Sequence, residues 1–151
     1  DILNPHIKKT LISKIKSHNI GSYLTLEILE SEKVSNFNIV NDFIAEVKKY
    51  GVKIAIDDFG TGFSNYENIL NLNIDYIKID GSLIKKIDED IYLNLIKSIV
   101  LFSKQQKIKV VAEFVSDLKI LRYVKNIGID YSQGYYIGKP TNINELIEEK
   151  E

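Results

Sequence analysis

The chain has 151 residues, enough for one domain with a buried core but too few for a closed (β/α)8 barrel, which takes about 200 at the least. Its 44% hydrophobic and 27% charged residues are globular in proportion, and 20 Lys plus Arg against 21 Asp plus Glu give a net charge of −1, which excludes a broad electrostatic footprint for duplex nucleic acid or anionic lipid. Cysteine is absent, excluding disulfides, thiolate catalysis and Cys-built zinc sites, and the absence of methionine leads to the expectation that Asp1 is a cut within a longer chain.

An opening helix is predicted after Asn4-Pro5, with Ile7, Leu11 and Ile15 stacked at helical spacing, ending near Asn19-Ile20-Gly21. His6 and His18 stand alone on or beside it and are expected to be solvated rather than metal ligands. Leu24 to Leu29 reads as a strand; Val40, Phe43, Ile44 and Val47 stripe the next helix up to Gly51; Lys53 to Asp57 is a second strand. After the turn Asp58-Phe59-Gly60-Thr61-Gly62 come a short helix around Tyr66 to Leu72, a strand from Tyr76 to Asp80, and a longer helix marked by Ile91, Leu95, Ile99 and Phe102. Val110 to Val115 is a fourth strand, followed by a helix carrying Leu118, Leu121 and Val124, a fifth strand from Tyr131 to Tyr135, and a charged helix from Ile143 to Lys150. The longest apolar run near a helix centre, Ile99 to Phe102, is far short of the roughly 20 residues of a membrane span.

Strands recurring with a helical pattern in almost every gap imply consecutive βα units with parallel strands. Such strands are buried on both faces and should be apolar, because an unpaired buried charge costs several kcal/mol. Each of the five departs from this at or near its C-terminal end, at Glu27, Asp57-Asp58, Lys78, Glu113 and Gln133. In parallel α/β architectures those ends share one face, the face used for ligands. Any one of these residues could instead be a loop exit or a helix cap; all five together point to hard oxygen ligands for Mg²⁺ or Mn²⁺, with the lysine available for phosphate or a bound water. Since every basic residue except Arg122 is lysine, guanidinium recognition of phosphate is scarce and a metal ion is the natural substitute.

The pair Asp57-Asp58 is the sharpest element. Neighbouring buried carboxylates repel unless a counter-charge is present, whereas two divalent ions can share them. Gly60-Thr61-Gly62 can turn tightly and present N–H groups to an anion, or can simply be a strand-to-helix turn. Asp58-Phe59-Gly60 also matches the kinase metal-binding tripeptide, but no catalytic loop precedes it, and the glycines fit neither a P-loop nor a dinucleotide fingerprint.

Leu26-Glu27-Ile28-Leu29-Glu30-Ser31, Ile56-Asp57-Asp58-Phe59-Gly60-Thr61-Gly62-Phe63-Ser64, Ile77-Lys78-Ile79-Asp80, Val110-Val111-Ala112-Glu113 and Gln133-Gly134-Tyr135-Tyr136 with Lys139-Pro140 together resemble the EAL domain of bacterial cyclic-di-GMP phosphodiesterases, in order and spacing, across essentially the whole chain. The resemblance implies a partial TIM-like (β/α) barrel of about five βα units. It implies that Glu27 and Asp57 ligate one divalent ion, that Asp57 bridges to a second held by Asp58, that Lys78 lies beside the reacting water and phosphate, and that Glu113 is general base or indirect ligand. Gln133 is then a supporting polar group, and Glu30 anchors the loop from Asp58 to Ser64, with Gly60, Thr61 and Gly62 in it. The implied reaction is hydrolysis of cyclic-di-GMP to pGpG.

The resemblance places the Glu-Ala-Leu segment, a metal-binding Asn and three strands upstream of Asp1, so residues 1–151 are expected to be the C-terminal portion of one EAL domain, inactive or nearly so alone. A homodimer or larger oligomer is expected, because the strand at Leu24 and the strand near Gln133 become sheet edges. A cytoplasmic catalytic domain is implied, with the parent's membrane association left open. Leu29 stands for a usual Thr, Phe114 for a usual Gly, Gly138 for a common Ser, and Ser116 for a usual Glu. Ser116 is expected to cap the helix beginning near Leu118, with Asp117 directed elsewhere. Ser116 and Phe114 keep open the alternative of a degenerate EAL domain that senses cyclic-di-GMP, or binds a protein, without hydrolysis.

Overall fold

Five Ile- and Val-rich segments lie side by side as parallel strands: β1 Thr25–Leu29, β2 Lys53–Phe59, β3 Tyr76–Ile79, β4 Lys109–Ala112 and β5 Tyr131–Ser132. The helices are α1 Pro5–His18, α2 Phe37–Lys48, α3 Tyr66–Leu70, α4 Gly81–Ile84, α5 Asp90–Gln105 and α6 Leu118–Ile127. The computed structural model describes residues 4–29, 37–60 and 66–142; the expected helix from Ile143 to Lys150 lies outside them. No helix among the described residues is long and apolar enough to cross a membrane.

The strand order is β1-β2-β3-β4-β5, the order of the chain. A doubly wound sheet reverses direction at a switch point; here every crossover steps the same way, and right-handed crossovers then place all helices on one face. The opposite face is the inside of an arc, as in a TIM-like barrel, and the sheet matches the five expected βα units. Alternation along the strands sends Ile28, Ile54, Ile56, Ile77, Ile79, Val110 and Ala112 into the core beneath the helices. They meet Phe43, Ile44 and Val47 of α2, Ile96 and Ile99 of α5, and Val124 of α6 in one cluster.

Three helix stripes differ from the sequence expectation. In α1 the buried residues are Ile12 and Ile15, while Ile7 is exposed; in α5 they are Ile96, Ile99, Val100 and Ser103, while Ile91 and Leu95 are exposed; in α6 they are Ile120 and Val124, while Leu118 is exposed. In each helix two apolar rows compete within about a turn, and the direction of the sheet, which periodicity does not encode, selects one. The third helix stops at Leu70, not Leu72, and β5 spans two residues rather than the expected five.

At the opposite end of the sheet from the polar strand ends, one device occurs twice. Asp75 donates its N–H to the Ile54 carbonyl (2.9 Å) and accepts the Ile54 N–H on Oδ2 (2.8 Å). Asp130 does the same with Val110, at 3.2 and 2.9 Å. Each carboxylate also meets the lysine that starts the neighbouring strand, Lys53 at 3.2 Å and Lys109 at 2.6 Å, and Asp75 takes Lys48 as well at 2.7 Å. Each aspartate is followed by a tyrosine, and the Tyr76 and Tyr131 rings meet edge to face at 6.0 Å. These clamps fix the register of β2 on β3 and of β4 on β5.

Candidate metal centre

Strict alternation would send Asp57 and Asp58 to opposite faces of β2. The pairing of β2 with β3 instead shifts register between Ile56 and Phe59, and Asp58 adopts a left-handed backbone with φ of 55°. The extra residue keeps both aspartates at the concave side and returns Phe59 to the core, fully buried. Strand β4 ends the same way: Glu113 is followed by Phe114 at φ 52° and then by the fully buried Val115.

Lys78 on β3 is the centre of the site. Its ammonium lies 2.8 Å from Glu27 Oε1, 2.8 Å from Asp57 Oδ1 and 2.9 Å from Glu113 Oε1, so carboxylates from three other strands or strand ends converge on one nitrogen. Lys78 and Glu113 are buried, Asp57 is half-buried, and the Glu27 side chain is 48% exposed and forms the wet side of the cluster. Burial alone would lower the Lys78 pKa, but Asp57, Glu27 and Glu113 outweigh it and raise it above the ordinary lysine value, so the ammonium stays charged. Glu113 is pushed up, first by burial, with Asp57 and Asp58 adding to the shift and Lys78 opposing it.

Among the described residues, four carboxylates, Glu27, Asp57, Asp58 and Glu113, gather around the Lys78 ammonium. Asp57 Oδ1 is buried and lies 2.8 Å from the Lys78 ammonium, which holds this carboxylate in the cluster by charge attraction. Carboxylate oxygens of Asp57, Asp58 and Glu113 lie within 4.8 Å of one another, a spacing that can enclose a metal ion. An all-oxygen set suits a hard divalent cation. The residues present therefore fit a metal, with Asp57 and Glu113 common to the lysine and the carboxylate groupings.

Of the residues singled out from the sequence, Glu27, Asp57, Asp58, Lys78 and Glu113 are brought together. Gln133 lies one residue beyond β5 rather than within it; its backbone ties Ala112 and Val115 together while its side chain is exposed at the rim. Gly60 follows β2 at φ 97°. Glu30, Thr61 and Gly62 lie outside the described residues. His6 and His18 are exposed on α1. The cap of α6 is Asp117, whose Oδ1 accepts the Ile120 N–H at 2.9 Å, and not Ser116, whose hydroxyl donates to Asp117 Oδ2 at 3.1 Å. Position 117 has the extended backbone and the three-residue reach a cap requires. The tyrosine pair on the inner face went unnoticed in the sequence, although the repeated Asp-Tyr dipeptide at 75–76 and 130–131 marks it.

The family model of the EAL domain matches residues 1–140. Among curated proteins, the chain is 41% identical over 139 residues to the cyclic di-GMP phosphodiesterase PdeA of Borreliella burgdorferi, covering 91% of this chain and 20% of that protein. It is 38% identical over 129 residues to the cyclic di-GMP phosphodiesterase PdeF of Escherichia coli K12, covering 85% and 17% respectively. The chain thus spans about a fifth of the length of these relatives. Among solved structures, the PaMucR phosphodiesterase in complex with c-di-GMP superimposes with a TM-score of 0.87 at 25% identity, over 96% of this chain and 60% of that one. An EAL domain protein from Listeria monocytogenes EGD-e gives 0.86 at 28% identity, over 98% and 60%.

Proposed function

The chain belongs to the EAL domain family, and on that premise we propose that it forms the larger part of a site that hydrolyses cyclic-di-GMP to pGpG. The observation that carries the proposal is the convergence of Glu27, Asp57 and Glu113 on Lys78 with Asp58 alongside, at the C-terminal ends of parallel strands. Mg²⁺ or Mn²⁺ bound by Glu27, Asp57 and Asp58 would supply Lewis acidity and a water nucleophile acidic enough to react at neutral pH. Glu113, buried and with a raised pKa, is suited to take a proton from the attacking water, while the Lys78 ammonium offsets charge accumulating on the phosphate. Gln133 at the rim, and Glu30, Gly60, Thr61 and Gly62 around the loop after Asp58, are proposed as supporting residues.

Residues 1–151 are proposed to be the C-terminal portion of one barrel, completed by strands that precede them in the parent. The coverage of about three-fifths of the neighbouring EAL structures supports this. The test is conversion of cyclic-di-GMP to pGpG by the parent and by this chain, with Mg²⁺ and with chelator. Metal-dependent turnover by the parent and little by the chain is expected; turnover by the chain at the parent's rate, or by neither, refutes the corresponding part. The exposed edges β1 and β5 are proposed to pair with another copy, and a monodisperse monomer in light scattering would count against that. A second reading, a non-hydrolysing cyclic-di-GMP sensor, is favoured by Phe114 and Ser116, and would show as binding without turnover in the parent.

A further inference from the structure

Strands β2 and β4 are two instances of one pattern. Each begins with a lysine paired to the aspartate clamp, and each ends with a site carboxylate, a residue at positive φ and a fully buried apolar residue: Asp57-Asp58-Phe59 and Glu113-Phe114-Val115. Phe114 therefore follows the site carboxylate at the end of β4 as Asp58 follows the one on β2. An aspartate tolerates this backbone because its short polar side chain can bond locally. A phenylalanine gains nothing of the kind, and a bulky residue at positive φ is an outlier that calls for a compensating role.

Among the described residues, Gly81 and Lys85 meet the ring. A Cβ on Gly81 would come within 2.3 Å of the ring, so the ring rests on the start of α4. The Lys85 ammonium, one helical turn further on, lies 4.9 Å from the ring centroid. Gly81 and Lys85 at i and i+4 share one side of the helix, so both support the ring from the same direction. Phe114 is 55% exposed although its neighbours Glu113 and Val115 are 7% and 0%. The result is a flat, cation-backed aromatic surface, oriented by α4, one residue from the buried carboxylate of the metal centre.

We propose that Phe114 is a stacking platform for a purine base of the cyclic dinucleotide whose phosphate occupies the adjacent site, with Gly81 and Lys85 setting the ring's orientation. The inference rests on the cyclic-di-GMP reading given above and holds whether the parent hydrolyses that ligand or only binds it. Base-on-aromatic stacking depends on the π-face of the base and is additional to anything the carboxylates and lysine contribute at the phosphate.

The test is calorimetric titration of the parent protein with cyclic-di-GMP in chelator, which prevents metal-dependent turnover, for the native protein, Phe114→Gly, Phe114→Ala and Phe114→Tyr. Gly and Ala are expected to weaken binding about 5- to 150-fold and Tyr to preserve it, the range following from stacking energies per base. Phe114→Gly removes the backbone strain, so it should melt no lower than native and separates lost binding from lost folding. Gly81→Ala, which displaces the ring without touching the cluster, should weaken binding in the same direction. Native-like affinity in both Phe114→Gly and Phe114→Ala overturns the stacking role while leaving the functional reading intact. Absence of cyclic-di-GMP binding by the native parent, with or without Mg²⁺, overturns the functional reading and this inference with it.

Discussion

Replacing Asp75 by alanine would strip the foot of β2 of several partners at once. The Ile54 N–H, on a fully buried residue, would lose its acceptor, at a cost of about 1–3 kcal/mol. Lys48, whose side chain is 17% exposed like that of Asp75, would lose its 2.7 Å partner, adding about 1.5–2 kcal/mol because a lysine stem can still carry its ammonium toward water. The Lys53 contact is half in solvent and adds little. Asp75→Ala is therefore expected to cost about 3–5 kcal/mol in urea unfolding at pH 7. Asp75→Asn, which keeps an oxygen for Ile54 but not the charge, should cost about half as much. The acid limb gives an independent check. Burial alone would raise the Asp75 pKa, but the Lys48, Ile54 and Lys53 hydrogen bonds override it and hold it below the ordinary aspartate value. A depressed folded-state pKa means that the stabilisation is complete above the unfolded value, near pH 4, and is lost as pH falls through the lower folded one. The gap between native and Asp75→Asn should accordingly narrow below about pH 4. Equal costs for Ala and Asn, a cost for Ala below about 1 kcal/mol, or a gap that widens on acidification would refute the clamp.

Asp130→Ala should destabilise in the same sense but less, because its single lysine partner is mostly in solvent; a larger loss of urea midpoint than for Asp75→Ala would contradict this ordering. In chelator, Lys78→Met should lower the melting temperature, since Asp57 and Glu113 lose their buried counter-ion. Added Mg²⁺ or Mn²⁺ should then raise it more in the variant than in the native chain, because the cluster has one more uncompensated charge; an equal or smaller metal-induced shift would argue against cation binding there. Asp57→Asn should abolish the metal-induced shift in differential scanning fluorimetry, whereas an undiminished shift would move the metal away from Asp57. Gly134→Ala should cost more than about 3 kcal/mol, or prevent folding, because a Cβ there would sit 2.3 Å from the Val115 backbone nitrogen at φ 154°, and main chain cannot yield as a side chain can.

Much of the site was legible because charge in a buried parallel strand contradicts its surroundings: Glu27, Lys78 and Glu113 each interrupt an apolar run. The strands themselves were legible for the complementary reason, that Ile and Val on both sides of a site residue have few other places to go. What the sequence conceals is backbone handedness. Nothing in the letters Asp57-Asp58-Phe59 or Glu113-Phe114-Val115 announces a positive φ, yet that rotation allows two consecutive residues to face the same way. The helix stripes were misplaced in α1, α5 and α6 because each offers more than one apolar row, and only the sheet beneath decides between them. The clamp roles of Asp75 and Asp130 leave no mark in the hydrophobic pattern, since a side chain that substitutes for a strand partner has no periodicity of its own.

The two aspartate clamps also tie chemistry to a distant event. From Ile54, held by Asp75, to Asp57 there are three residue steps, about 10 Å of extended chain without a hinge. A slip of one residue at the foot would turn every later side chain of β2 over, carrying Asp57 off Lys78 and Ile56 off the core in a single movement. Register error and dispersal of the carboxylate–lysine cluster are thus one event, so a chain that folds with the wrong alignment cannot keep the cluster in part. Proofreading of the fold is built into the strand that carries Asp57 and Asp58.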